Sequence, residues 1–211
     1  MKKILFAVPK GRILQELKIL FDKIGLKPEK DFFDESSRKL VFATNFANLE
    51  IIKVRSFDVA TFVKFGAADV GVCGLDVVEE FSSKEIFALL NLGIGKCRLA
   101  LAGRKSDANI DLTALSHVRV ATKYVNLTSE FFAKKGVQAE VIKLNGAIEI
   151  APKLGLGNFI VDLVDSGKTL QENNMFELEK ILDISSYLIV NRTSFKTKNQ
   201  EINDLIKLFD A

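Results

Sequence analysis

The chain has 211 residues, 48% hydrophobic and 27% charged, a globular composition long enough for one large domain or two small lobes. Its 30 basic and 27 acidic residues leave a formal charge of +3 with no long like-charge block. That pattern argues against a nucleic-acid arm or a polybasic membrane patch and suits small phosphorylated ligands. The two cysteines, Cys73 and Cys97, lie in separate apolar segments without CxxC spacing, so neither a disulfide framework nor a zinc site is indicated and the cytoplasm is the expected compartment.

At the N-terminus, Lys2 and Lys3 precede an apolar run over 4–8 that ends at Pro9-Lys10-Gly11-Arg12. The run is too short for a signal peptide or for the roughly 20 apolar residues of a bilayer span, and it reads as a buried strand. Further strands are predicted over 40–44, 49–54, 69–73, 87–92, 98–102, 118–121, 139–143, 159–164 and 187–191. Helices are predicted near 12–24, 57–65, 75–81, 125–135, 167–173 and 200–209. Short Val/Ile/Phe-rich runs alternating with amphipathic stretches predict an α/β fold with strands covered on both faces. The Gly93-Ile94-Gly95-Lys96 break predicts passage into a second lobe. Ser185-Ser186 opens a return that ends in a helix with Ile202, Leu205, Ile206, Leu208 and Phe209 at helical spacing. Residues 1–94 with 186–211 are therefore expected to form lobe I and 95–185 lobe II, two chain crossings framing a cleft.

The run Phe159-Ile160-Val161-Asp162-Leu163-Val164-Asp165 reads as a buried strand that delivers carboxylates at its C-terminal end. Ser166-Gly167-Lys168-Thr169 follows as the turn into a helix, the place where α/β proteins bind ligands. Such a turn offers unpaired amides and hydroxyls to an anion; Gly167 permits close backbone approach or positive φ, and Lys168 adds charge. In isolation the Ser-Gly turn is better explained by an ordinary Ser166 helix cap. Asp162 and Asp165 so near a phosphate nest favour a polyhydroxylated ligand or a Mg²⁺ ion beside the phosphate, as in a ribose 5-phosphate. The turn is not a P-loop, whose first glycine would fall at Asp162, and Gly155-x-Gly157 is not a dinucleotide fingerprint, because position 160 is Ile.

Glu149, Gly155, Gly157, Ile160, Asp162, Leu163, Ser166, Gly167, Thr169 and Leu170 together resemble the signature of the ATP phosphoribosyltransferase family. Pro9-Lys10-Gly11-Arg12, Ser37-Arg38-Lys39-Leu40, Gly66-Ala67-Ala68-Asp69-Val70-Gly71 and Ala121-Thr122-Lys123-Tyr124 resemble the same family in order and placement. The resemblance implies two α/β lobes of the type II periplasmic-binding-protein kind, with the reactants in the cleft. It also implies the first step of histidine biosynthesis, in which adenine N1 of ATP attacks C1 of phosphoribosyl pyrophosphate and expels pyrophosphate. Carried over by position, Ser166, Gly167, Lys168 and Thr169 hold the 5-phosphate, with Asp165 beside them. Glu149 and Asp162 contact ribose hydroxyls or their Mg²⁺. Arg12 and Arg38 stabilise the departing pyrophosphate, a task that suits the permanently charged guanidinium. Lys10, Gly11, Lys39, Gly74 and Tyr124 are further substrate contacts. Displacement at an anomeric carbon needs alignment and charge neutralisation rather than a histidine base. His117 is accordingly expected to be structural or exposed, and Cys73 to be a packing residue lining the cleft.

The sequence ends at Ala211, directly after the returning helix, which resembles the short form of the family without a C-terminal histidine-sensing domain. The short form implies a separate regulatory partner related to histidyl-tRNA synthetase, and the catalytic chains can also dimerise. Two readings compete with this one: a two-lobed binding module that closes on an anion without chemistry, and a phosphoribosyltransferase acting on a free nucleobase.

Overall fold

The computed structural model describes residues 2–34, 36–107 and 109–210. In chain order its strands and α-helices are β1 (Ile4–Pro9), α1 (Arg12–Lys23), β2 (Val41–Ala43), β3 (Leu49–Val54), α2 (Ser56–Lys64), β4 (Val70–Gly74), α3 (Leu75–Phe81) and β5 (Ile86–Asn91). They continue with β6 (Cys97–Arg104), β7 (His117–Thr122), α4 (Val125–Lys134), β8 (Gln138–Lys143), β9 (Phe159–Val164), α5 (Lys168–Glu172), β10 (Met175–Ile184), β11 (Ser186–Asn191), α6 (Arg192–Thr197) and α7 (Asn199–Asp210). Short 3₁₀ turns lie at Lys30–Phe33 and Ile148–Ile150, among others. The chain divides into two compact units, Met1–Gly95 with Ser185–Ala211, and Lys96–Ile184.

Unit 1 is built on a six-stranded sheet in the order β2-β3-β1-β4-β11-β5. Strands β1, β3 and β4 run parallel, while β2 and β11 pair antiparallel to β3 and β4. The alternation of β1 divides its side chains between two cores. Phe6 and Val8 join the cluster that includes Leu14, Leu17 and Phe21 of α1 and Ile202 and Leu205 of α7; Ala7 joins Val59, Ala60 and Val63 of α2 on the other face. Phe21 sits among Phe6, Phe32 and Phe209 at ring separations of 6.2, 6.3 and 6.2 Å, so truncation to Ala costs about 3–5 kcal/mol. Gly71 is dictated by packing: a Cβ there would lie 2.6 Å from Val59 Cγ1 and 2.9 Å from Val63 Cγ2.

Unit 2 carries a five-stranded sheet in the order β10-β6-β9-β7-β8. Strands β7, β8 and β9 are parallel, and β6 and β10 are antiparallel additions. Ala100, Ala102, Ala121, Ile160, Leu170 and Met175 are buried together in one cluster of this unit. The approach to β9 depends on Gly157, where a Cβ would stand 2.9 Å from the Arg119 carbonyl oxygen, so only glycine lets this segment lie against β7. Asn158 N then donates to that same oxygen at 2.9 Å.

Two elements were not anticipated from the sequence. Strand β10 is ten residues long, but register shifts at Glu177/Glu179 and Lys180/Leu182 interrupt the alternation by which a strand is recognised. Helix α6 is a six-residue turn held by its cap, in which the Asn191 side chain accepts from Ser194 N at 2.9 Å. Cys73 is fully buried in the β4 core, so it packs the sheet and does not line a ligand surface; burial pushes its thiol pKa up. His117 is exposed at the start of β7.

Candidate active site

The C-terminal end of β9 opens into a cavity of about 150 Å³ lined by Glu149 and by every residue from Asp162 to Leu170. Seven residues singled out from the sequence therefore share one surface: Glu149, Asp162, Asp165, Ser166, Gly167, Lys168 and Thr169. The turn is made by Gly167, whose φ of 79° and ψ of 2° place it in the left-handed region immediately before α5. Ser166 Oγ accepts from Lys168 N at 3.4 Å, a long contact and hence a loose cap. With only five residues, α5 contributes little macrodipole. Lys168 Nζ lies 3.8 Å from Glu172 Oε1 in an exposed i,i+4 pair, so its charge leans along the helix.

The loop is braced from outside the signature by Arg98 at the start of β6. Arg98 Nη1 donates to the Asp165 carbonyl at 3.0 Å, while its Nε and Nη2 grip the Glu177 carboxylate at 2.6–2.9 Å. Glu177 holds the guanidinium pKa above its ordinary value. Sequence reasoning missed Arg98; the available signal was a cation opening an apolar strand. Thr122 Oγ1 donates to the Val161 carbonyl at 2.6 Å and accepts from Tyr124 N at 2.9 Å, tying the ends of β7 and β9 together. Tyr124 is 2% exposed and does not line the cavity, which places it in the framework rather than on the ligand surface.

Unit 1 repeats the strand–glycine–helix turn at the C-terminal end of β1. Gly11 has φ 89° and ψ −147°, a combination open essentially only to glycine, and Arg12 follows as the first residue of α1. Lys10 N donates to the Val54 carbonyl at 2.8 Å, which fastens this turn to the end of β3. Because β1, β3 and β4 are parallel, Lys10-Gly11-Arg12, Arg55 and Gly74 all gather at one edge of the sheet. Arg55, exposed directly after β3, is a cation the sequence reading did not single out. Gly74 is buried where β4 meets α3, with ordinary extended angles. Arg12 Nε donates to Glu16 Oε1 at 3.4 Å, and Glu16 Oε2 accepts from Gly95 N at 2.9 Å. Arg38 is exposed in the segment leading to β2. Lys39 pairs with Glu29, holding that carboxylate pKa below its ordinary value, and lies 5.6 Å from the Phe42 ring centre.

Among the described residues, no group of three or more His, Cys, Asp or Glu side chains is arranged to hold a metal ion. Glu149 and Asp162 nevertheless offer the one or two carboxylates that suffice for Mg²⁺ when substrate oxygens complete its coordination. Among the described residues, no helix is long and apolar enough to cross a membrane.

Comparison with known proteins identifies the family. The family model for ATP phosphoribosyltransferase (HisG) matches residues 55–211. The ATP phosphoribosyltransferase of Sphingopyxis alaskensis is 53% identical over 206 residues, covering 98% of this chain and 92% of the relative. That of Rhodospirillum rubrum is 53% identical over 208 residues, with the same coverage. Among solved structures, an ATP phosphoribosyl transferase (HisG:HisZ) complex from Thermotoga maritima aligns with a TM-score of 0.82 at 29% identity, covering 98% of this chain and 96% of that one. The periplasmic aliphatic sulphonate binding protein SsuA from Escherichia coli aligns with a TM-score of 0.60 at 11% identity, over 99% of this chain and 68% of its own; it shares the two-unit α/β fold. With a family model across three quarters of its length and half-identical relatives end to end, the chain belongs to the ATP phosphoribosyltransferase family.

Proposed function

We infer that the chain transfers the phosphoribosyl group of phosphoribosyl pyrophosphate to N1 of the adenine of ATP, the first step of histidine biosynthesis. The observation that carries the site assignment is the convergence of Glu149, Asp162 and the 165–169 turn on one cavity. The turn amides, Ser166 and Thr169 take the 5-phosphate, whose charge-assisted bonds replace the loose Ser166 cap. Glu149 and Asp162 accept hydrogen bonds from the ribose hydroxyls, a demand that a bare phosphate would not make.

Adenine N1 forms the new bond to C1 as the C1–oxygen bond breaks, and pyrophosphate leaves with the bonding electron pair. Charge accumulates on that leaving group, so the residues that matter in unit 1 are cations. Arg12 and Arg38 neutralise it, and Lys10 and Gly11 complete the turn around it. Glu149 and Asp162 are the residues that would hold a divalent cation, which we assign as Mg²⁺, and bound there with substrate oxygens it would supply neutralisation of part of the substrate's charge. Lys39, already paired with Glu29, contributes to the local field more than to direct contact. The likeness to a HisG:HisZ complex supports a regulatory subunit as the partner, and the substrate set supports a cytoplasmic setting.

Purified chain incubated with Mg²⁺, ATP and phosphoribosyl pyrophosphate is expected to yield phosphoribosyl-ATP and pyrophosphate, read by mass spectrometry. Absence of the adduct, with a regulatory subunit also supplied, would sink the catalytic reading and leave a binding module on the same fold.

A further inference from the structure

We propose that Lys53, a buried lysine on β3, is the positioning residue that sets the segment carrying Arg38, and through it the affinity of the site for pyrophosphate. The proposal rests on the assignment of Arg38 to the leaving group made above.

Lys53 is 5% exposed, an unusual state for a lysine, since burial strips water from a charge that hydrocarbon could replace at no electrostatic cost. Main-chain acceptors meet its ammonium group. Nζ donates to the Phe32 carbonyl at 2.7 Å and to the Asp34 carbonyl at 3.2 Å, at the end of the 3₁₀ turn. The rings of Phe32 and Phe42 lie 5.7 and 5.3 Å away by ring centre, within the range of attraction between a cation and an aromatic face.

The backbone of the same residue acts at the far end of that segment. Lys53 N donates to the Leu40 carbonyl at 3.1 Å. One residue thus fastens both ends of the stretch from Asp34 to Leu40, in the middle of which stands Arg38. Within it the Asp34 carboxylate accepts from Ser36 N at 2.8 Å and Ser36 Oγ at 2.7 Å, which ties Asp34 to a residue two positions before Arg38. Arg38 itself stands exposed in an irregular stretch, outside any regular element that could aim it. Removing the ammonium releases the Asp34 end while leaving the Leu40 end paired. The expected result is a guanidinium that samples more positions and holds pyrophosphate less well, with no direct effect on the 165–169 loop in the other unit.

The test is calorimetric titration of the full chain, in the presence of Mg²⁺, with inorganic pyrophosphate and separately with ribose 5-phosphate. Lys53→Met is expected to weaken pyrophosphate about tenfold, to leave ribose 5-phosphate unchanged, and to add nothing further in an Arg38→Ala background, because coupled residues are not additive. Lys53→Arg, which keeps charge and donors, is expected to recover most of the affinity. Should Lys53→Met not fold, Lys53→Gln takes its place, with about a threefold loss expected from an uncharged donor. Unchanged pyrophosphate affinity in a folded variant, an equal loss of both ligands, or full additivity with Arg38→Ala would overturn the proposal. If Arg38→Ala alone leaves pyrophosphate binding intact, it is the assignment of Arg38 that fails.

Discussion

The two units present the same turn at the ends of their parallel strands, with different surroundings. In both, a strand ends, a glycine at positive φ reverses the backbone and a cation opens a helix: β1, Gly11 and Arg12 in one unit, β9, Gly167 and Lys168 in the other. Around Gly167 stand the carboxylates of Glu149, Asp162 and Asp165; around Gly11 the nearest chain neighbours are Lys10 and Arg12. Backbone amides at a glycine turn can attract phosphate, and the side chains beside it decide what else is accepted. Carboxylates beside the nest select a ligand that carries hydroxyls next to its phosphate. Cations beside it suit a group that is all charge. We therefore propose the Gly167 turn for a ribose phosphate and the Gly11 turn for a pyrophosphate.

The largest effect expected from breaking this division is in the arginines. Arg38→Ala should lower kcat by roughly 10²- to 10³-fold, because the lost cation acts on a leaving group whose negative charge grows as the C1–oxygen bond breaks. Steady-state kinetics of the folded variant checks it, and unchanged turnover would remove Arg38 from the site. A smaller effect is expected at the other turn. Thr169→Ala removes one hydroxyl among several donors to the 5-phosphate, so the KM for phosphoribosyl pyrophosphate should rise by about tenfold with kcat largely retained. An unaltered KM would count against Thr169 as a phosphate ligand.

What was legible in the sequence is what is local in the chain. The 165–169 turn, its strand and the flanking Asp162 are nearly consecutive, so order alone displays them, and only Glu149 had to be brought in from a distance. Gly155 and Gly157 were legible as motif positions, but their reasons were not. Gly155 turns the chain at φ 73°, and Gly157 makes room for the Arg119 carbonyl, which is a fact of tertiary approach. The supports stayed hidden for the same cause. Arg98 reaches the Asp165 carbonyl across 67 positions, and Lys53 reaches Phe32 across 21, through side chains that read individually as an ordinary surface cation and a charge interrupting a strand. Tyr124 shows the converse: it lies in a recognisable segment, yet the fold turns it into the core.

The most direct test of the division exchanges the damage between the two turns. Gly11→Ala meets no steric obstacle from neighbouring atoms, so its effect is confined to a backbone conformation that alanine avoids; Gly167→Ala carries a left-handed penalty of about 1–2 kcal/mol. Calorimetry of both variants with ribose 5-phosphate and with Mg²⁺-pyrophosphate should give a crossed pattern. Gly167→Ala should lose ribose 5-phosphate and keep pyrophosphate, and Gly11→Ala should do the reverse. Parallel losses of both ligands in each variant, or no loss in either, would contradict the account.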